Sequence, residues 1–535
     1  MTFPPSQWRR THLDDRLRSL DPWFVCLAIL AFLIAVSMLV PVFWMIREAM
    51  LVDTDRAMSL LLGDPTPRIV FNSVILMLSV MIASILLGVP LAYVTTRTDL
   101  PAPRFWTIVA ALPLVVPSYI GAIAFVGMFG SGGHLDTVLG ISIPRVEGLI
   151  GATFIITLYT YPYVFLTTRG AILSMDESLY DAARTLNVGK IQSFRLATLP
   201  QIRPGIAAGA LLAALYAISD FGTPAFMRAN VFTSRIYWEF EGFRAEYAAL
   251  LALQLIAIVG MVLVIEAGIG HDSDAQSRTT AGTTVALGAW KWIVMAGIAL
   301  LGIVTLIAPI VIFLFWFFLG EGQEISSLAW DWMFAYNSVR LSIGAALAAV
   351  LLALPVAYVS GRSNSVFARA IERITYIGFA VPGIVIGLAL VFFGLAIVPG
   401  FYRTGVALLI FAYVVRFLPQ AVGSIRSSVL QMDQRLLEAS RSLNAGRFET
   451  FRRVTLPQII PGAVVGSILV FLTTMKELPM TLMLRPIGMD TLVIIIWDAQ
   501  DILAYRYAAI PALVLVVVSG LTMLVLLRQE SSQLA

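Results

Sequence analysis

The sequence predicts an all-α polytopic membrane protein with about twelve transmembrane helices in two parallel six-helix repeats. Three observations predict it. The chain is apolar and poor in charge, it carries a dozen apolar runs of bilayer-spanning length, and its second half repeats its first. Of its 535 residues 59% are hydrophobic and 13% charged, against about a quarter charged in a soluble protein. Mean hydropathy is +0.88.

Composition also excludes several chemistries. The single cysteine, Cys26, lies in an apolar run, so neither an intramolecular disulfide nor a thiolate zinc site is available. His12, His134 and His271 are far apart in polar stretches, which argues against a His-ligated metal or haem. The lysines Lys190, Lys291 and Lys476 do not complete the glycine-rich Lys-Ser/Thr pattern of a P-loop. The chain is therefore expected to be no enzyme and to bind no cofactor. Its energy comes from another subunit or from an ion gradient. Nucleic acid is not among the expected partners.

The spans of the first half are Trp23 to Met45, Ile69 to Val94, Trp106 to Met128, Leu149 to Thr167, Ile206 to Met227 and Tyr247 to Ala267. Those of the second are Trp292 to Leu319, Val339 to Val359, Ile374 to Val398, Gly405 to Val422, Ala463 to Leu484 and Tyr507 to Leu527. Each covers about 30 Å of hydrocarbon as a helix. Pro117 and Pro382 predict kinks. Most of the 36 Lys and Arg fall on one side if the N-terminus is cytoplasmic, and acids such as Asp53, Glu239 and Glu321 fall on the other. That is the positive-inside pattern, with both termini cytoplasmic. The first apolar run is too long for a cleavable signal and stays in the protein.

The repeat is read residue by residue. Phe71-Asn-Ser-Val and Pro90-Leu-Ala-Tyr-Val recur as Tyr336-Asn-Ser-Val and Pro355-Val-Ala-Tyr-Val, and Pro117 matches Pro382 at the same offset. Beyond an outer loop that is shorter in the second copy, Met175-Asp176 matches Met432-Asp433 and Leu199-Pro-Gln-Ile matches Leu456-Pro-Gln-Ile. Six spans per copy make the repeats parallel, with a pathway expected between them. The expected division is residues 1–270, a cytoplasmic linker at 271–285, and residues 286–535.

The longest cytoplasmic loops, 176–204 and 433–461, occupy the same place in each copy. Asp176 and Asp433 are suited to N-cap a short helix. Leu436, Ala439, Ser440 and Leu443 then share one face, as do Leu179, Ala182, Ala183 and Leu186. Gly189 and Gly446 follow, where a positive φ would turn the chain and a β-branched residue would be strained. Small residues on an exposed face suit docking into a partner's groove. Asp181-Ala182-Ala183 with Gly189 and then Leu199-Pro200 resembles the coupling loop of permease subunits in binding-protein-dependent ABC importers. Glu438-Ala439-Ser440 with Gly446 and Leu456-Pro457 resembles it again, with Ser440 in place of alanine. The resemblance implies a type I importer permease fold in a bacterial inner membrane. It implies two copies of an ATPase subunit that use ATP, one on each loop, and an extracytoplasmic binding protein. Membrane lipid surrounds the whole.

Asp220 lies sixteen residues after Pro204, and Glu477 the same distance after Pro461. Arg228 and Arg485 each follow the acid by eight residues. At 1.5 Å per residue the acids lie about 24 Å into the membrane. Acids there line a pathway or pair internally, for instance Asp220 with Lys476 or Glu477 with Arg485. The segments SDFGTPAFMR and KELPMTLMLRP, in a fused two-domain chain, resemble ferric-iron permeases in particular. Fe³⁺ takes oxygen ligands, which the two acids and Tyr216 would supply. Fused permeases for thiamine or phosphonate are similar in layout. A cation-coupled secondary transporter, with Asp220 and Glu477 as proton relay, is the alternative of another class.

Overall fold

The computed structural model describes residues 22–130, 133, 147–176, 189, 192, 194–268, 285–319, 329–363, 365–397, 399–400, 406–443 and 445–533. Among them the chain is helical, with one isolated β-bridge between Thr98 and Val285. Among the described residues nine helices are long and apolar enough to cross a membrane, or up to eleven if each of two bent pairs counts as one span. Tyr505–Leu521 is a shorter apolar helix. Every apolar run of the sequence corresponds to one of these.

The bent pairs are the runs that contain Pro117 and Pro382. Pro103–Val115 and Ser118–Phe129 meet at 84°, and Val366–Ala380 and Gly383–Ile397 at 99°. The expected kinks are thus full breaks. The cause is steric, because a proline ring disfavours helical backbone in the residue before it. Val116 and Val381 are extended, with ψ of 129° and 127°.

The chain forms two compact units. One contains residues up to Leu51, Asp331–Ile494 and residues from Leu521. Its centre is a triple of long helices, Trp332–Arg362, Ala407–Gln431 and Leu456–Met475. The helix Pro22–Ser37 packs on Trp332–Arg362 and Val366–Ala380, with Phe32 stacked on Phe367 at 5.8 Å. The other unit contains Val52–Trp330 and Ile495–Gly520. Its triple is Thr66–Arg97, Gly148–Leu173 and Leu199–Ser219. There Trp290–Gly302 packs on Pro103–Ala111, and Ala308–Leu319 on Ser118–Phe129. Each unit therefore takes its opening span from the other sequence repeat.

Small residues bring the central helices together. Gly205 and Gly209 repeat as Gly462 and Gly466, a small-xxx-small spacing in both copies. A Cβ on Gly209 would stand 2.5 Å from the Cα of Val164, and one on Gly466 2.9 Å from the Cα of Ala421. Backbones this close leave no room for a side chain. Dispersion between them substitutes for the hydrophobic driving force that lipid does not supply.

Candidate functional site

The loop sites are built from proline chemistry. Pro200 and Pro457 stand at the second position of their helices and have no N–H to donate. The turns just before them, Phe194–Thr198 and Phe451–Thr455, are π-helical. In the second, Leu456 donates its N–H to the Phe451 carbonyl, five residues back. The glutamine after each proline completes the arrangement. Gln201 Nε2 donates to the Ala197 carbonyl at 2.9 Å, and Gln458 Nε2 to the Val454 carbonyl at 3.0 Å. π turns of this kind recur at functional sites.

Asp181, Ala182 and Ala183, expected to couple to an ATPase, lie outside the described residues. Asp176, where their loop begins, donates its N–H to Gln201 Oε1 at 3.0 Å, and its carbonyl accepts from Gln201 Nε2 at 3.3 Å. The second loop shows its helix, Gln434–Ser442. Asp433 begins it by accepting the Arg435 N–H at 2.9 Å. Leu437 and Ser440 face inward, and Ser440 Oγ bonds Thr450 Oγ1 at 2.7 Å. Leu436, Glu438, Ala439 and Leu443 face outward. Ser440 therefore leaves the outward face on which the sequence had placed it.

The glycines need correction. Gly446 has φ of −61° and ψ of 155° and caps the next turn, Arg447–Thr450. Gly189 is likewise absent from the left-handed region. The Ala445 N–H closes the preceding helix on the Ser440 carbonyl at 3.2 Å, so no left-handed residue is required. A Cβ on either glycine would meet nothing within 4 Å among the described residues. Strain is therefore not the reason for glycine there.

The two repeat-matched acids have different surroundings. Asp220 follows Leu199–Ser219, where the helix ends, and is half-buried. Ser118 Oγ donates to its Oδ2 at 2.9 Å and lies 3.0 Å from the Tyr216 hydroxyl. Thr233 Oγ1 donates to its carbonyl at 2.7 Å. Behind it Phe221 stacks on Trp497 at 5.2 Å. Glu477 is buried, 7% exposed, and pairs with Arg416 Nη1 at 3.3 Å. Beside that pair is Gly383, where a Cβ would overlap both the guanidinium and the carboxylate.

The structure thus joins Asp220 to Tyr216 through Ser118. It gives Glu477 a partner, Arg416, from the Ala407–Gln431 helix. Arg485 pairs with Asp490 at the end of Pro479–Leu484, so the expected intra-segment pair gives way to these two. Arg228 is exposed, at φ of 54°. Ser118 and Gly383 were missed by sequence reasoning, although each directly follows a repeat-matched proline. Gln201 and Gln458 stood inside the quoted motif with no role given.

Comparison with known proteins agrees with this architecture. The family described as binding-protein-dependent transport system inner membrane component matches residues 84–269 and again 349–530. The Fe(3+)-transport system permease protein FbpB 2 of Haemophilus influenzae is 28% identical over 508 residues, covering 94% of this chain and 97% of that protein. The ferric transport system permease protein FbpB of Actinobacillus pleuropneumoniae is 26% identical, over 77% of this chain and 64% of its own length. A probable ABC transporter permease, y4fN, of Sinorhizobium fredii is 23% identical over 98% of this chain and 97% of its own. Permeases of this family move solute while a separate subunit hydrolyses ATP, which sets aside the ion-coupled carrier. The chain belongs to the family of binding-protein-dependent inner membrane transport components and is the multi-pass plasma-membrane permease of an ABC importer.

Proposed function

We propose that the cargo is ferric iron, delivered by an extracytoplasmic binding protein. Two ATPase copies drive transport, one on loop 176–204 and one on loop 433–461. Both loops and both termini face the cytoplasm, and the 1–270 and 286–535 repeats act as paired halves. Asp181, Ala182, Ala183, Gly189, Glu438, Ala439 and Gly446 meet the ATPases. Leu199-Pro200 and Leu456-Pro457 anchor the loops to their spans.

The observation that carries the coupling reading is the outward face of Gln434–Ser442. Leu436 is 50% exposed and Leu443 82% exposed in a charged loop. Apolar side chains in that setting mark a docking surface. The open space at Gly446 leaves room for a partner's backbone. The cargo follows from the named ferric relatives and from the oxygen donors at Asp220.

Two measurements test this reading. Leu443→Glu should abolish co-purification of the ATPase while the protein still reaches the membrane. Cells carrying the complete importer should take up radiolabelled iron, and not thiamine or phosphonate. Retained co-purification would remove the docking face, and uptake of an organic solute alone would remove the cargo.

A further inference from the structure

We propose that the two repeats have divided their labour. Asp220, with Tyr216 and Ser118, forms a cation station, whereas Glu477 and Arg416 form a structural strut that carries no cargo. The proposal rests on the ferric reading above and says where in the chain the cation is met.

The repeat itself supplies the argument. Offset by 265 residues, Ser118 matches Gly383. Offset by 257, Tyr159 matches Arg416, Tyr216 matches Thr473 and Asp220 matches Glu477. Two matched acids thus sit in opposite settings. Where the first repeat has a hydroxyl, the second has only a hydrogen, and that missing Cβ is the space the Arg416 guanidinium and the Glu477 carboxylate occupy. A serine at 383 would displace the Arg416 guanidinium and the Glu477 carboxylate from where they stand, and so the two substitutions are read together.

The charge of the two settings differs accordingly. Glu477 and Arg416 neutralise one another and are packed closed. Among the described residues, the groups that face the Asp220 carboxylate, namely Ser118, Gly222 and Thr223, are neutral. A carboxylate met by hydroxyls and backbone has no fixed counter-charge beside it, as Glu477 has in Arg416. A cation bound there would supply the counter-charge that the protein does not. Carboxylate, phenol and aliphatic hydroxyl are all hard oxygen donors, the set a trivalent hard cation selects. Asp220 is also the more accessible acid, half-buried where Glu477 is buried. Tyr216 stands beside Tyr163 at 6.2 Å between ring centres. The matched pair in the second repeat is Thr473 on Gln420, with Thr473 Oγ1 3.2 Å from Gln420 Oε1. The second repeat has therefore lost the phenol as well as the open carboxylate.

The test is uptake of radiolabelled ferric iron by cells carrying the complete importer, with membrane levels measured by blot. Asp220→Asn should lower uptake at least tenfold at normal protein level, and Asp220→Glu should restore part of it. The double variant Arg416→Met/Glu477→Gln removes the strut's charges together and should keep uptake within about twofold per inserted molecule. Should the double variant fail to insert, Arg416→Lys keeps the pair's charges while changing its geometry, and it should likewise keep uptake within about twofold. Equal losses from both sites would overturn the division of labour and leave the ferric reading intact. Full uptake in Asp220→Asn would overturn the cation station. Wild-type cells that import no iron would fail the ferric reading itself.

Discussion

The side chain of Gln201 bonds both backbone groups of Asp176, accepting at 3.0 Å and donating at 3.3 Å, and also reaches the Ala197 carbonyl at 2.9 Å. One amide therefore ties the start of the loop at 176–204 to the π turn at its end. A loop fastened at both ends to a single helix moves with that helix. This is what transmission of an ATPase's motion to a membrane span requires. Gln201→Leu removes the fastening and leaves the span's apolar packing unchanged. Transport per ATP hydrolysed should fall several-fold in proteoliposomes with the partner ATPase, while ATPase association persists. An unchanged ratio would reduce Gln201 to a local helix contact.

Gly446 offers a sharper reading of the second loop. Its backbone is extended and its surroundings are open. Gly446→Ala should thus leave insertion and thermal stability within about 0.5 kcal/mol of the parent, as at an ordinary surface site. Gly446→Trp should insert equally well and yet co-purify with less ATPase. Loss of inserted protein in the alanine variant would show that the glycine serves the fold.

The close helix approaches give the opposite expectation. At Gly209 and Gly466 a side chain meets backbone within 3 Å. Gly209→Leu or Gly466→Leu should cost on the order of 1–3 kcal/mol or more by overpacking. The midpoint of thermal aggregation in detergent should fall clearly. An unchanged midpoint would mean that the helices separate freely.

Gly383→Ser places the first repeat's residue against the Arg416–Glu477 pair. Alone it should destabilise. Combined with Arg416→Tyr, which completes the first repeat's pattern of Ser118 and Tyr159, part of the loss should return. A double-mutant cycle on thermal stability should show a coupling of about 0.5–3 kcal/mol, the range for residues in contact. Additive effects would separate the two positions.

The orientation is checked by labelling. In a Cys26→Ser background, cysteines at Arg195 and Phe448 should resist a membrane-impermeant thiol reagent in intact cells and react after permeabilisation. Phe448 is 67% exposed, so failure to react would reflect sidedness. Reaction in intact cells would invert the topology.

Spans were legible because hydrophobic length is additive along a chain. Each of the twelve runs needed only its own residues to be recognised. The breaks at Pro117 and Pro382 were legible as disturbances, but their 84° and 99° depended on neighbours that hold the freed backbone. The second loop helix was legible from Asp433 and its apolar spacing. Its inward and outward faces were not, because Ser440 turns in to reach Thr450, ten residues on. The acids at 220 and 477 were found from the repeat. Their unlike partners, Ser118 and Arg416, come from helices 102 and 61 residues away in sequence. No local pattern reports such distances, although the Ser118-to-Gly383 contrast in the repeat was a sign of them.

The exchanged opening spans have a consequence for synthesis. The ribosome makes Pro22–Met50 well before the helices it packs on, Trp332–Arg362 and Val366–Ala380, which emerge hundreds of residues later. That first span must wait in the bilayer as an orphan, which lipid permits because its apolar flank is already solvated there. Neither compact unit is complete until translation has passed the second repeat. A chain cut between residues 271 and 285 would consequently yield two pieces that each hold the other's opening helix, so that neither piece can finish its own unit and only co-synthesis should restore an importer.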